Sequence, residues 1–429
     1  MKLIYKLLIG MVIILAMTAC SAKDSETINL NRDYVLHHDN TDNQRNILLK
    51  EDLEYFKKKL PKLHKNLFSI ITKEEFETRT TELINNIDKQ NNKQVFTELN
   101  KIVASIGDAH TAMNLMEGYG FPLELWIFDG KVYVVNTDLK LKEMMNGQIV
   151  KINGVDMEQV IDQLSSLIPH ENDSWLMAMI PSYLLIPNYM YNLGIIAYEH
   201  EAVFTIDKAG ELMDFTVTAI NNDETIEYVD NTTANAMVGK FDKYYDYKYY
   251  PDQKAVCLSY NVCMDMEELT FKAFNDEMFE VIEDNKVEKI IIDLRSNTGG
   301  NSTIIKPFIN RLKSYTAATK NVKVYTLIGR NTFSSGMFAI YEVKDNIPNA
   351  ISVGEPTGGA LDRYGDIKIL TLPNSRIPIS YSTKYFKFSD MFQYKNEGVD
   401  TFIPDIPMQP TIEDYKNGTD TVLAYALEN

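Results

Sequence analysis

Two adjacent serines, Ser334 and Ser335 in "NTFSSGMFAI" (331–340), stand between a polar turn and an apolar helical stretch. A serine at such a junction has two chemistries open to it. Its hydroxyl can accept a hydrogen bond from an orphan amide and cap the helix. Given a base, the same hydroxyl can attack an acyl carbon, with the helix N-terminus favouring the developing negative charge. Acyl transfer also needs amides that receive the oxyanion and a group that orients the base. Gly299-Gly300, in "DLRSNTGGNS" (293–302), supplies backbone that can approach a ligand closely, although as an isolated pair it reads as a tight turn. Of the six histidines, His37 and His38 lie in a polar N-terminal stretch with no acidic or cysteine partner at ligand spacing. His64 sits beside an apolar stripe and reads as a packed residue, and His170 and His200 have no distinctive setting. His110, in the polar loop "SIGDAHTAMN" after a helix, is the best base candidate. There is no CxxC and no HExxH, so neither a metal nor a cofactor is expected.

Three kinds of element must position these residues. Over 47–106, Leu53, Phe56, Leu60 and Leu63, then Phe76, Leu83, Ile84 and Ile87, then Val95, Phe96, Leu99, Val103 and Ile106 recur at helical spacing. Pro61 is expected to mark a break or a fresh start in the first run, and Thr72 with Glu75 three residues on predicts a capped helix start. Over 119–235 the pattern changes to hairpins, with Asp129-Gly130 as a turn and "GQIVKINGVDMEQVIDQL" as strand, turn and amphipathic helix. Over 236–429 the order becomes β-α-β-α-β. "VEKIIIDL" is apolar at three consecutive positions, as in a strand buried on both faces, which predicts an α/β core with parallel pairing. Gly299-Gly300 and Ser334-Ser335 fall at two successive strand-to-helix turns of that core.

"GDAHT", "IIIDLRSNTGGNS", "GRNTFSSGMFAI", "VGEPTGG" and "EGVDTFIPDI" occur in this order. Together they resemble the tail-specific, or C-terminal-processing, serine peptidase family over nearly all of residues 47–410. The resemblance implies an α/β core of the crotonase/ClpP-like type, an N-terminal helical bundle and a PDZ-like β-rich middle domain. It implies Ser334 as nucleophile, with the amides of Gly299 or Gly300 and of Ser335 as the oxyanion hole. One branch of the family uses a Ser–Lys dyad, but Ala360 stands where that lysine would be. The tricorn-like branch uses a histidine from an "HT" segment, which implies His110 as base, and a late acidic residue, for which Glu397 is the candidate and Asp390 the alternative. That branch also has a serine beside its histidine, where this chain has Ala109. The expected function is a serine endopeptidase acting on a peptide or protein substrate. The alternative is a catalytically silent lipoprotein that keeps the fold and binds peptides or cell-envelope partners.

The N-terminus bears on location. Lys2 and Lys6 precede an apolar run too short to span a bilayer comfortably, and small residues lead to Cys20. "AMTAC" resembles a bacterial lipobox, which implies a signal peptide over 1–19 and a diacylated Cys20 holding the chain on a cell membrane, outside the cytoplasm. Residues 20–46 then read as the lipidated cysteine and a polar tether, followed by domains over 47–118, 119–235 and 236–429. With 60 Asp+Glu against 43 Lys+Arg and no basic patch, nucleic acid is not an expected partner. Cys257 and Cys263 are expected to be free, because six residues along one strand separate them by about 20 Å.

Overall fold

The computed structural model describes residues 5–6, 30–113, 118–229 and 237–429. Cys20 and the expected cleavage site lie outside the described residues. Within them, no helix is long and apolar enough to cross a membrane.

From residue 30 four helices follow in order: α1 (Leu30–His37), α2 (Asn43–Leu63), α3 (Lys73–Asn85) and α4 (Asn92–Ala104). The tether expectation fails over 30–46. Val35 is buried, and the buried Arg45 guanidinium donates to the carbonyls of Ile87 and Gln90 at 2.8 Å each. α1 itself is held by the buried Val35 and by the Asn92 side chain, which donates to the carbonyls of Val35 (2.5 Å) and His38 (3.1 Å), and a short polar helix anchored this way carries no visible period. Pro61 does not break α2: the helix runs through it to Leu63, and the His64 amide still donates to the Leu60 carbonyl at 3.0 Å. The Thr72 hydroxyl accepts from the Glu75 amide as expected.

The middle of the chain forms an antiparallel sheet in sequence order, β1 (Leu123–Phe128), β2 (Lys131–Thr137), β3 (Gln148–Ile152), β4 (Glu201–Lys208) and β5 (Glu211–Thr218). Asp129 and Gly130 both take positive φ, as a two-residue hairpin of matching twist requires. Between β3 and β4 the chain builds α5 (Met157–Ser165), α6 (Asp173–Leu184) and α7 (Pro187–Asn192), whose apolar faces pack on the sheet.

The last part is an α/β layer. Strands β6 (Tyr245–Tyr250), β7 (Ala255–Tyr260), β8 (Lys289–Asp293), β9 (Lys323–Ile328) and β10 (Ile351–Gly354) lie side by side in that order. β6 pairs antiparallel with β7 and every later pair is parallel. The crossovers are α8 (Phe271–Asp284), α9 (Lys306–Ala318) and α10 (Ser335–Asn346). A long hairpin, β11 (Arg363–Thr371) and β12 (Pro378–Phe386), leaves this layer and closes the core of the N-terminal helices with Leu370, Leu372, Ile377, Ile379 and Tyr381. The short β13 (Ile406–Pro407) then adds to the sheet beside β10, and α11 (Ile412–Asn417) and α12 (Thr421–Glu428) end the chain. Both free cysteines are buried. The chain is thus mixed α/β with several sheets.

Candidate active site

The turns after β8 and β9 are laced together by Asn297, which is fully buried. Its amide nitrogen donates to the Tyr260 carbonyl (2.6 Å), and its side-chain oxygen accepts from the Gly299 amide (2.9 Å). Its carbonyl accepts from the Phe333 amide (2.9 Å). The Thr332 hydroxyl, also fully buried, donates to the Leu294 carbonyl (2.9 Å) and accepts from the Gly329 amide (3.0 Å). Ser334 is thereby held at φ 51°, ψ −119°, a conformation that costs a non-glycine residue about 1–3 kcal/mol. It stands at the N-cap position of α10 yet makes no cap hydrogen bond. The Ser335 hydroxyl is occupied, donating to the Gly300 carbonyl at 2.6 Å.

The same lacing separates the two glycines. The Gly299 amide is consumed by Asn297, so it is not an available donor. What Gly299 contributes is the absence of a side chain: a Cβ there would lie 3.1 Å from Ser334 Oγ and 2.9 Å from the Ser335 nitrogen. The amides of Gly300 and Ser335 have no partner among the described residues.

His110 arrives from far away in sequence. The Ser380 hydroxyl on β12 donates to the His110 carbonyl (2.9 Å), and the Ala112 amide donates to the Ser380 hydroxyl (3.1 Å). The imidazole stacks on Phe333, with ring centroids 4.8 Å apart, and Phe333 stacks in turn on Trp175 of α6 at 4.0 Å. This stack aims His110 Nε2 at Ser334 Oγ, 3.2 Å away.

The carboxylates beside His110 are not the expected ones. Glu397 and Asp390 are exposed; Glu397 acts electrostatically on Tyr394, and Asp390 pairs with Lys387. Phe392 of that loop packs on Phe338 and Tyr341 of α10, and neither carboxylate makes a hydrogen bond or ion pair with His110 among the described residues. Asp108 and Glu171 take the place instead: one oxygen of each lies with a ring nitrogen of His110 in a cluster whose atoms are within 4.8 Å of one another. Asp108 accepts from the Thr111 hydroxyl (2.6 Å), the His110 amide (2.9 Å) and His64 Nε2 (3.0 Å), and its Oδ1 is 3.7 Å from His110 Nδ1. The Asn66 amide donates to His64 Nδ1, which fixes the proton of His64 on Nε2. Burial alone would raise the Asp108 pKa, but bonds from His110, His64 and Thr111 outweigh it and hold the carboxyl well below the usual range. Glu171 is the opposite case. Burial pushes it up to about 7, with the anion of Asp108 adding to the rise and His110 and Arg363 opposing it.

His64 is packed, as read from its apolar neighbours, but what it packs against is the Asp108 carboxylate. Glu171 gave no signal of its own in sequence: it sits in "IPHENDS", next to a histidine, with no apolar period or motif around it. The adjacent Asn172 explains why that loop is in place, because its side chain donates to the carbonyls of Gly358 (3.1 Å) and Asp400 (2.5 Å).

The chain is similar in fold to mature CPAF. The structure of mature CPAF complexed with lactacystin matches at a TM-score of 0.62 with 13% identity, over 89% of this chain and 97% of that one. A second structure of mature CPAF matches at 0.62 with 12% identity, over 89% and 96%. The likeness to CPAF therefore takes in the helices, the middle sheet and the α/β layer together. No protein-family model and no curated protein matches this chain.

The arrangement offers an unoccupied hydroxyl, an imidazole nitrogen in reach of it, two unpartnered amides beside an open space, and buried carboxyls behind the imidazole. These are the parts that acyl transfer to a serine needs.

Proposed function

We propose that this protein is a serine-type peptidase. The observation that carries the reading is the 3.2 Å approach of His110 Nε2 to Ser334 Oγ, at a strained turn where the serine does not cap its helix. The ordered resemblance of "GDAHT", "TGGNS" and "TFSSG" to tail-specific peptidases of the tricorn-like branch supports it. So does the likeness in fold to CPAF, whose structure with lactacystin is among the matches. In the same reading the α/β layer is of the crotonase/ClpP-like type and the middle sheet is PDZ-like.

His110 Nε2 takes the Ser334 proton while Oγ bonds to the substrate carbonyl carbon, and the carbonyl electron pair moves onto oxygen. The Gly300 and Ser335 amides receive that oxyanion, each worth about 3–4 kcal/mol. The C–N bond then breaks, His110 Nε2 returns the proton to the leaving amine, and water repeats the sequence to release the acid and Ser334. Glu171 and Asp108 stabilise the imidazolium, and Asp108 with Ser380 holds its loop.

The test is labelling of the full chain by a fluorophosphonate, with mass mapping of the adduct. Labelling at Ser334 that falls by about 10³-fold or more in His110→Ala supports the reading. A folded protein that takes no label favours the silent, peptide-binding lipoprotein instead. We also propose that Cys20 is diacylated and anchors the chain to a membrane outside the cytoplasm. Fatty-acid incorporation that persists in Cys20→Ser would refute this.

A further inference from the structure

The space behind His110 holds two buried polar atoms with nothing to bond. His110 Nδ1 and Glu171 Oε2 both lack a hydrogen-bond partner. The histidine is 8% exposed, so water does not satisfy it from bulk. His110 Nδ1 is 3.7 Å from Asp108 Oδ1, and one ring nitrogen of His110 and one oxygen each of Asp108 and Glu171 lie within 4.8 Å of one another. An imidazole nitrogen and two carboxylate oxygens make up a three-ligand set of the kind zinc uses when its fourth position stays open.

We propose that Asp108, His110 and Glu171 form a binding site for Zn²⁺, and that the ion reversibly silences the serine. Zinc bonds to nitrogen and oxygen at about 2.0–2.2 Å, which places tetrahedral ligands about 3.4 Å apart. The His110 Nδ1–Asp108 Oδ1 separation of 3.7 Å is already close to that, so small side-chain rotations complete the set. The outer contacts also suit a metal: His64 and Thr111 orient Asp108 by hydrogen bonds, and Phe333 fixes the imidazole plane. Ca²⁺ and Mg²⁺ are disfavoured, because they take six or more oxygens and the set includes a nitrogen. Among the described residues Arg363 opposes the site, acting electrostatically on Glu171 without an ion pair to it.

Coordination changes the chemistry of the ring. A neutral imidazole bound to metal through Nδ1 carries its proton on Nε2. That proton then points at Ser334 Oγ, and Nε2 can no longer accept one. This consequence rests on the serine–histidine reading; the binding itself does not.

The two are separated by measuring each. The full chain carrying Ser334→Ala is stripped with a chelator and titrated calorimetrically with zinc chloride near neutral pH, with magnesium chloride as control. One zinc per chain is expected, with affinity reduced more than about ten-fold by adding Glu171→Gln or, separately, His110→Ala, and circular dichroism checks that each variant is folded. Absence of binding, or an affinity in both folded variants unchanged from that of the Ser334→Ala parent, overturns the site. In parallel, zinc should slow fluorophosphonate labelling of the wild-type chain, with recovery on adding EDTA. Zinc that binds at this cluster while wild type takes no label leaves the site standing and sinks the serine reading. Labelling indifferent to saturating zinc overturns the silencing.

Discussion

At the scale of single residues, the site depends on what is missing as much as on what is present. Gly299 leaves open the space that Ser334 Oγ and the Ser335 amide border. Gly299→Ala should therefore abolish labelling of Ser334, because its Cβ would lie 2.7 Å from Ser334 Cβ at a φ of +112° and force the serine away from His110, a displacement that a crystal structure of the variant would check. Ser335→Ala removes one bond to the Gly300 carbonyl, not the attacking group. It should slow labelling by no more than about ten-fold, a cost of about 1 kcal/mol. Glu171 ties the site to pH. Its pKa of about 7 predicts that labelling rises from about pH 6 to 8 as the carboxylate forms behind His110. Glu171→Gln should lower the rate at pH 8 and flatten that rise. The sign for stability is the reverse. A carboxyl raised from 4.5 to about 7 holds a proton that the unfolded chain has released, so stability falls as pH climbs through that window. The Gln variant should melt higher than wild type at pH 8 and together with it at pH 4. Ser334, His110 and the glycine pair could be found from sequence, since each sits in a turn of distinctive composition. Glu171 could not, because one glutamate in a polar loop looks like any other until the loop is seen to fold onto His110.

At the scale of elements, β12 and α6 are the parts that bring distant residues to the serine. Ser380 on β12 grips the His110 loop, and the hairpin turn before it is held by Asp52, whose carboxylate accepts from the Asn374 and Ser375 amides at 2.7 Å each. Asp52→Ala leaves two buried amides unpaired. It should cost about 1–3 kcal/mol in denaturant unfolding and slow labelling together with it. Trp175 of α6 backs Phe333, which backs His110. Trp175→Ala removes the outer ring of that stack, so labelling should fall even in samples shown by circular dichroism to be folded. The strands and crossover helices of the last part were readable from their apolar runs. The partnership of β11–β12 with the N-terminal helices was not, because a hairpin's outer face carries no mark of which helices will cover it.

At the scale of the molecule, three sequence regions share one site and none of them is self-sufficient. Ala109 and Phe333 belong to the same core as the middle sheet, and the N-terminal helices are closed by the hairpin of the last part. An isolated fragment of residues 30–113 lacks Leu370, Leu372, Ile377, Ile379 and Tyr381 and should expose its apolar face. Dye binding with retained helical signal and no cooperative melting would show this; a sharp transition would refute it.

Local pattern was enough for the α/β class, the parallel strands, the hairpins and the two turns that carry Ser334 and Gly299, because periodicity and turn chemistry act over a few residues. It was also enough to single out His110 among six histidines. Which carboxyls stand behind that imidazole depended on where loops from 108 and 171 and a strand from 380 meet. That meeting is governed by packing among residues hundreds of positions apart, where burial, and not the letter in the sequence, determines whether a glutamate carries a charge.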